Sequence, residues 1–234
     1  FEVRARSAGD PRRFVLRVLD NADWLREEPD LLVHEVAAFT EARKAGLAAP
    51  GPVAHTDDAG SGAPALLMSF VEGQVEVRPQ NTQRWLEGLA TTLARIHRHR
   101  AEAFPWVFQS WTVGKALAPP PWTSVPAAWA RAIERWHAGA PDDPPVFLHR
   151  DYHAVNVLWR EATVSGVVDW VNACRGPAGV DVAHCRTDLA LMRGPEVAAA
   201  FLEAYGAAAE GYVHDPYWDL DAVLDMGLPE PVFY

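Results

Sequence analysis

The segment Phe147-Leu148-His149-Arg150-Asp151-Tyr152-His153-Ala154-Val155-Asn156-Val157-Leu158-Trp159 carries a carboxylate and an amide five residues apart, and Gly166-Val167-Val168-Asp169-Trp170 adds a second carboxylate. A carboxylate able to accept a hydroxyl proton, beside hard oxygen donors suited to Mg²⁺, is the equipment of phosphoryl transfer. Asp151 suits the first job, and Asn156 and Asp169 suit the second. The runs Val157 to Trp159 and Val164 to Val168 are expected to pair as a hairpin that returns Asp169 beside Asn156. The rival reading makes these residues turn caps and a strand end. It must then explain His149, Asp151, Asn156 and Asp169 together, in type and in spacing.

The elements that must position this segment follow from the sequence pattern. Strand signals run over Phe1 to Ala5 and Phe14 to Leu19, joined by a Gly/Pro turn at 7 to 11. Leu32, Val36, Phe39 and Ala42 or Arg43 follow helical spacing between Leu31 and Ala45, and Gly46 stands where it would stop that helix. Val53 to Thr56 and Ala65 to Val71 read as two more strands across a flexible Asp/Gly turn. Trp85, Leu86, Leu89, Ala90, Leu93 and Ile96 form one stripe of a helix over Thr82 to His97, with Asn81 or Thr82 as N-cap. Further helices are expected at 124–138, 181–192, 195–206 and 216–226, short strands within 146–170, and a Pro-rich connector at 118–121. Strands first and helices later make an α+β chain with a small strand-rich lobe and a larger helical one.

The composition narrows the partners. Across 234 residues, 21 Lys plus Arg face 31 Asp plus Glu, a formal net charge of −10. That balance argues against nucleic acid, whose phosphates call for clustered cations. All of the excess falls after Pro141, where 15 acids meet 5 arginines. Solvated helix faces explain most such acidity; an anionic pocket for a cationic small molecule is the sharper reading. Cys174 and Cys185 form neither a C-x-x-C pair nor a zinc pattern, so a reducing, cytoplasmic compartment is expected. No apolar run approaches the roughly 18 to 20 residues that span a bilayer, and no basic-then-apolar leader opens the chain.

With these residues in hand, His149-Arg150-Asp151-Tyr152-His153-Ala154-Val155-Asn156 resembles the catalytic loop of the protein kinase-like superfamily. Gly166-Val167-Val168-Asp169-Trp170, with Trp after the aspartate, resembles the aminoglycoside phosphotransferase and choline kinase branch. The resemblance implies a bilobal kinase-like fold, with residues 1–71 as the nucleotide-binding lobe and 72–234 as the catalytic and substrate-binding lobe. It implies ATP or GTP with Mg²⁺, Asp151 as the catalytic base, and Asn156 and Asp169 as metal ligands. Arg17 stands on the strand where kinases place a phosphate-holding lysine, and arginine keeps the charge and can bind phosphate with two donors. Glu35 resembles the helix glutamate that pairs with that cation, with a surface glutamate as the competing reading. Met68, Ser69 and Phe70 resemble the hinge whose backbone meets adenine. The family's glycine-rich strand-turn-strand would precede residue 1.

His149 is implied to hold the loop by hydrogen bonding, and His153 reads as a satisfied loop histidine, with a contact to the substrate or to the site residues as the alternative. Cys174-Arg175-Gly176-Pro177-Ala178-Gly179-Val180-Asp181-Val182-Ala183 resembles a family segment whose aspartate, here Asp181, braces the loop. The acceptor is expected to be a small, cationic hydroxyl compound such as an aminoglycoside, met by Trp170, Asp188, Trp218 and Asp219. Choline or another metabolite is the alternative within the same chemistry. A non-catalytic nucleotide-binding module is the alternative outside it.

Overall fold

A computed structural model describes residues 1–7, 10–58, 60 and 62–226. The opening hairpin pairs β1 (Glu2–Ser7) with β2 (Asp10–Val18), which in turn pairs with β4 (Ala65–Ser69); β3 (Pro52–Thr56) closes the antiparallel sheet in the order β1-β2-β4-β3. The tip of the expected 7–11 turn lies outside the described residues. Between β2 and β3 run α1 (Ala22–Glu27) and α2 (Leu31–Lys44). The sequence pattern gives no sign of α1, which is too short for a periodic stripe. Its start is written in Asn21, whose side chain accepts from the backbone N–H groups of Asp23 and Trp24 at 3.1 Å.

Helix α2 ends as expected. Gly46 takes φ +77°, the Leu47 N–H reaches the Ala42 carbonyl at 3.2 Å and the Gly46 N–H reaches Arg43 at 2.9 Å, the double bond of a Schellman stop. The buried face of α2 is wider than its aliphatic stripe, because His34 and Glu35 are buried beside Leu31, Leu32, Ala38 and Phe39. Strand β4 stops at Ser69 rather than continuing to Val71.

The second part of the chain begins with β5 (Gln74–Val75) and α3 (Thr82–His97), capped by the Asn81 side chain on the Arg84 N–H at 2.9 Å. Then come α4 (Pro126–His137), β6 (Pro145–Leu148), a 3₁₀ turn over Ala154–Asn156, β7 (Val157–Arg160), β8 (Thr163–Val167) and β9 (Cys174–Pro177). The expected hairpin is β7 with β8, and β5 joins it in the order β5-β7-β8. Pairing of β6 with β9, which the sequence reading missed, ties the two ends of the motif region together. The last helices are α5 (Gly179–Arg193), starting two residues before the expected point, α6 (Pro195–Ala208) and α7 (Tyr217–Asp225). No helix among the described residues is long and apolar enough to cross a membrane.

One continuous core runs from Phe39 and Leu66 through Leu89 and Leu93 of α3 to Phe147, Trp170, Val182 and Phe201, so both parts of the chain share an interior. A backbone contact in the same seam positions the site. The Val167 N–H donates to the Ala48 carbonyl at 3.0 Å, fixing the end of β8 against the loop that leads into β3. Gly166 permits that approach, since a Cβ there would lie 2.6 Å from the Ala48 oxygen and against Val71. A backbone carbonyl cannot swing aside as a flexible side chain can. Gly166→Ala is expected to destabilise the protein by about 1 to 3 kcal/mol, measured by urea unfolding; an unchanged midpoint would show that this seam is loose.

Candidate active site

The loop after β6 is anchored by a buried carboxylate. Asp181, in the first turn of α5, is fully buried; its Oδ2 accepts from the His149 N–H and its Oδ1 from the Arg150 N–H, both at 2.8 Å. Arg150 adopts φ +70°, a left-handed conformation costly for a side-chain-bearing residue, and the paired bonds hold it there. His97 Nε2 of α3 is 3.2 Å from the same Oδ2, while its Nδ1 meets the Tyr205 hydroxyl at 2.6 Å. Burial alone would push the Asp181 carboxyl up, but His97 and the loop donors outweigh it and hold it below its ordinary range.

His149 joins the loop to the end of β8. Burial pushes its pKa down, and the neutral ring uses both nitrogens. Nε2 meets the Val168 carbonyl at 2.9 Å, and Nδ1 accepts from the Asp151 N–H at 3.3 Å.

Asp151 itself is surrounded. Its Oδ2 accepts from Asn156 Nδ2 at 3.1 Å, and the same nitrogen donates to the Asp151 backbone carbonyl at 2.9 Å. His184 Nε2 and His153 Nε2 lie 3.2 and 3.5 Å from its Oδ1. Burial raises the Asp151 pKa, but His153 and His184 overcome it and keep the group a carboxylate far below the usual range.

Asp169 follows β8 with φ +64°, which turns its side chain back toward the sheet. There Arg17 of β2 bridges two carboxylates: one guanidinium nitrogen is 2.6 Å from Asp169 Oδ1 and another is 2.7 Å from Glu35 Oε1 of α2. Burial weighs against the Arg17 charge, yet Glu35 and Asp169 raise its pKa. Glu35 is only 1% exposed, and among the described residues its Oε2 has no partner. Burial pushes its carboxyl up to about 7 against the pull of Arg17. Arg17, Asp151 and Asp169 line one cavity of about 370 Å³, with Asn21 and Trp24 across from them.

With the geometry in place, the sequence matches the phosphotransferase enzyme family over residues 1–217. The chain belongs to that family. No curated protein matches it. Among solved structures it is similar to an aminoglycoside-3'-phosphotransferase of type VIII, with 20% identity over 96% of this chain and 87% of that one and a TM-score of 0.66. It is also similar to the aminoglycoside phosphotransferase APH(3'')-Id of Streptomyces rimosus in complex with ADP and streptomycin, with 17% identity over 94% and 88% and a TM-score of 0.62. A third is the amicoumacin kinase hAmiN in complex with AMP-PNP, Ca²⁺ and Ami, with 11% identity over 97% and 81% and a TM-score of 0.65. At these identities the likeness establishes the kinase-like α+β fold of the phosphotransferases.

Within this phosphotransferase the fold does not bring every expected residue to the cleft. Trp170 is fully buried, stacked on Phe147 at 5.6 Å and 5°, with Nε1 on the Val167 carbonyl, so it has no face for an acceptor. Trp218 is 3% exposed and bonds Asp143. Asp219 is paired with Arg186 and with His214 at 2.9 Å. Of the four expected acceptor contacts only Asp188 stands near Asp151, where its charge acts on His153 and His184. Helical spacing fixes which residues share a face, but not what packs on that face.

The hinge residues are likewise committed elsewhere. Met68 pairs on both sides within the sheet, the Ser69 N–H donates to Gly51 at 2.9 Å, and the Phe70 N–H donates to Arg13 at 3.3 Å. The Ser69 and Phe70 N–H groups are thus occupied and are not free donors for a base.

Two sets of residues escaped the sequence reading. His184 sits three positions after Asp181 and four before Asp188, a spacing on α5 that could have been read as one face. Arg150, buried between Trp111 at 4.0 Å and Phe108 at 4.8 Å, pairs with Asp225 of α7 at 2.7 Å, and the other oxygen of Asp225 takes the Ser110 and Thr112 hydroxyls. No local pattern links positions so far apart.

The buried Glu35 makes stability pH-dependent. It keeps its proton up to about 7 in the folded protein but only to its ordinary 4.5 when unfolded. Between those values the folded state binds the extra proton, so stability falls as pH rises, by about 3 kcal/mol at most. Relative to Glu35→Gln, the wild type should therefore lose stability between pH 5 and pH 8 in urea titrations; parallel losses in both proteins would contradict a raised Glu35.

Proposed function

We propose that this phosphotransferase moves the γ-phosphoryl group of Mg-ATP, or of GTP, to a hydroxyl of a small cationic molecule, with aminoglycosides as the leading class. The observation that carries the reading is the shared cavity in which Asp151, Asp169 and Arg17 converge. The complexes of similar folds with ADP and streptomycin and with AMP-PNP and Ca²⁺ point the same way.

The donor set suits Mg²⁺. Among the described residues no cluster of three or more His, Cys, Asp or Glu could cage a metal. Mg²⁺ is commonly held by one or two protein oxygens, completing its shell with water and phosphate. Asp169 supplies a carboxylate already facing a cation, Arg17. Asn156 turns its nitrogen to Asp151, which leaves its Oδ1 as the ligand. When bound, the metal neutralises charge on the phosphates.

In our reading residues 1–71 form the nucleotide lobe and 72–234 the catalytic lobe. Arg17, steadied by Glu35, holds phosphate oxygens, and the backbone of 71–73, beyond the paired end of β4, takes the hinge role. Asp151 accepts a hydrogen bond from the acceptor hydroxyl and takes its proton as the new O–P bond forms and the bond from the γ-phosphorus to the bridging oxygen breaks, the nucleoside diphosphate leaving. So strongly stabilised a carboxylate is a weak base, and orienting the hydroxyl is its larger contribution. Asp188, half-buried beside His153 and His184, faces an ammonium group of the acceptor.

The test is ADP release from Mg-ATP across aminoglycosides, amino alcohols and hydroxylated amino acids. Asp151→Asn should lower acceptor-dependent kcat by about 10³-fold or more with Mg-ATP affinity retained, and unchanged turnover would remove Asp151 from the mechanism. Asp169→Ala should abolish metal-dependent nucleotide binding in calorimetry; equal affinity in the variant would sink the ligand assignment. Tight Mg-ATP binding with no release for any acceptor would instead favour a nucleotide-binding module.

A further inference from the structure

Asp151 is approached by an imidazole that neither the loop motif nor the metal set includes. A carboxylate at the end of a short side chain turns over a broad range about its last torsion, so its lone pairs face a hydroxyl reliably only when donors fix both oxygens. Asn156 provides one, on Oδ2. For Oδ1 there are two candidates, His153 from the loop and His184 from α5, whose ring centroids are 5.9 Å apart.

They are not equivalent. His153 Nε2 also lies 3.1 Å from Asn156 Nδ2, and an amide nitrogen can only donate. His153 Nε2 is thus shared between Asn156 and Asp151, and at 3.5 Å it is the more distant of the two rings from Oδ1. His184 Nε2 has no such competing donor and stands nearer, at 3.2 Å from Oδ1. Asp188 lies four residues along the same helix face, close enough for the His184 ring to act on its carboxyl.

We propose that His184 is a positioning residue of the transfer reaction, donating to Asp151 Oδ1 while Asn156 donates to Oδ2, so that the carboxylate plane is set for the incoming hydroxyl. This rests on Asp151 being the group that receives the hydroxyl hydrogen. Asp181 and His184 then give α5 two grips on one loop, the first on its backbone and the second on its reacting side chain.

The test compares wild type, His184→Ala, His184→Gln and Asp151→Asn under Mg-ATP with the panel acceptor that gives the greatest ADP release. His184→Ala should lower kcat by about 100-fold while KM for Mg-ATP stays within about twofold. Gln restores a side-chain N–H and should recover about tenfold of that loss. Wild-type kcat in His184→Ala overturns the proposal, and so does an equal loss in Ala and Gln, which would make His184 a packing residue. Asp151→Asn separates the two readings: if it leaves turnover intact, the role of Asp151 falls and that of His184 with it, whereas loss there beside an unaffected His184→Ala rejects His184 alone. A readout free of turnover is the imidazole ¹⁵N resonance of His184, identified by its disappearance in His184→Gln. It should move in Asp151→Asn, and an unmoved resonance overturns the contact.

Discussion

The hydrogen bonds from the His149 and Arg150 N–H groups to the Asp181 carboxylate are the constraint on which the site depends. They cross from α5 to the loop after β6 and hold Arg150 in a left-handed conformation that a lone loop would abandon. Once that turn is fixed, Asp151 leaves the loop in one direction and Asn156 can fold back onto it. A buried carboxylate is tolerated only with its oxygens satisfied. Asp181 meets that demand with backbone donors and His97, so removing the carboxylate would cost the loop its shape rather than a surface charge.

A second brace joins the two parts of the chain. Arg17 lies between Glu35 and Asp169, so β2, α2 and the end of β8 meet at one guanidinium. Single arginine forks of this kind are directional, and the contact of Val167 with Ala48 keeps the same elements in register behind it. The cation that faces Asp169 also marks the carboxylate as one built to face positive charge.

Acidity in the last third of the chain has a different meaning in the fold than in the composition. Asp181, Asp219, Asp221 and Asp225 are taken up by His97, by Arg186 with His214, by Trp136, and by Arg150, respectively. These pairs tie α5 to α3, and α7 to α4, α5 and the loop after β6, so these four carboxylates act as struts rather than as a broad anionic lining. Beside the cavity that Asp151 lines, the acidity that remains is local, at Asp188.

The sequence by itself determined where the motif residues lie, with Asp151 and Asn156 one short loop apart and Asp169 at the end of the adjacent β7-β8 hairpin. It also determined α2, α3 and the opening strands, whose apolar periodicity and end signals at Gly46 and Asn81 are themselves local. Only the tertiary structure decided that Trp170 and Trp218 are interior, that Met68 and Ser69 lie within the sheet, that His184 stands beside Asp151, and that Asp225 pairs with Arg150 of the loop. Each of those outcomes depends on which helix or strand packs against a given face. Residues distant in the chain become neighbours only when the apolar surfaces that carry them are buried against each other.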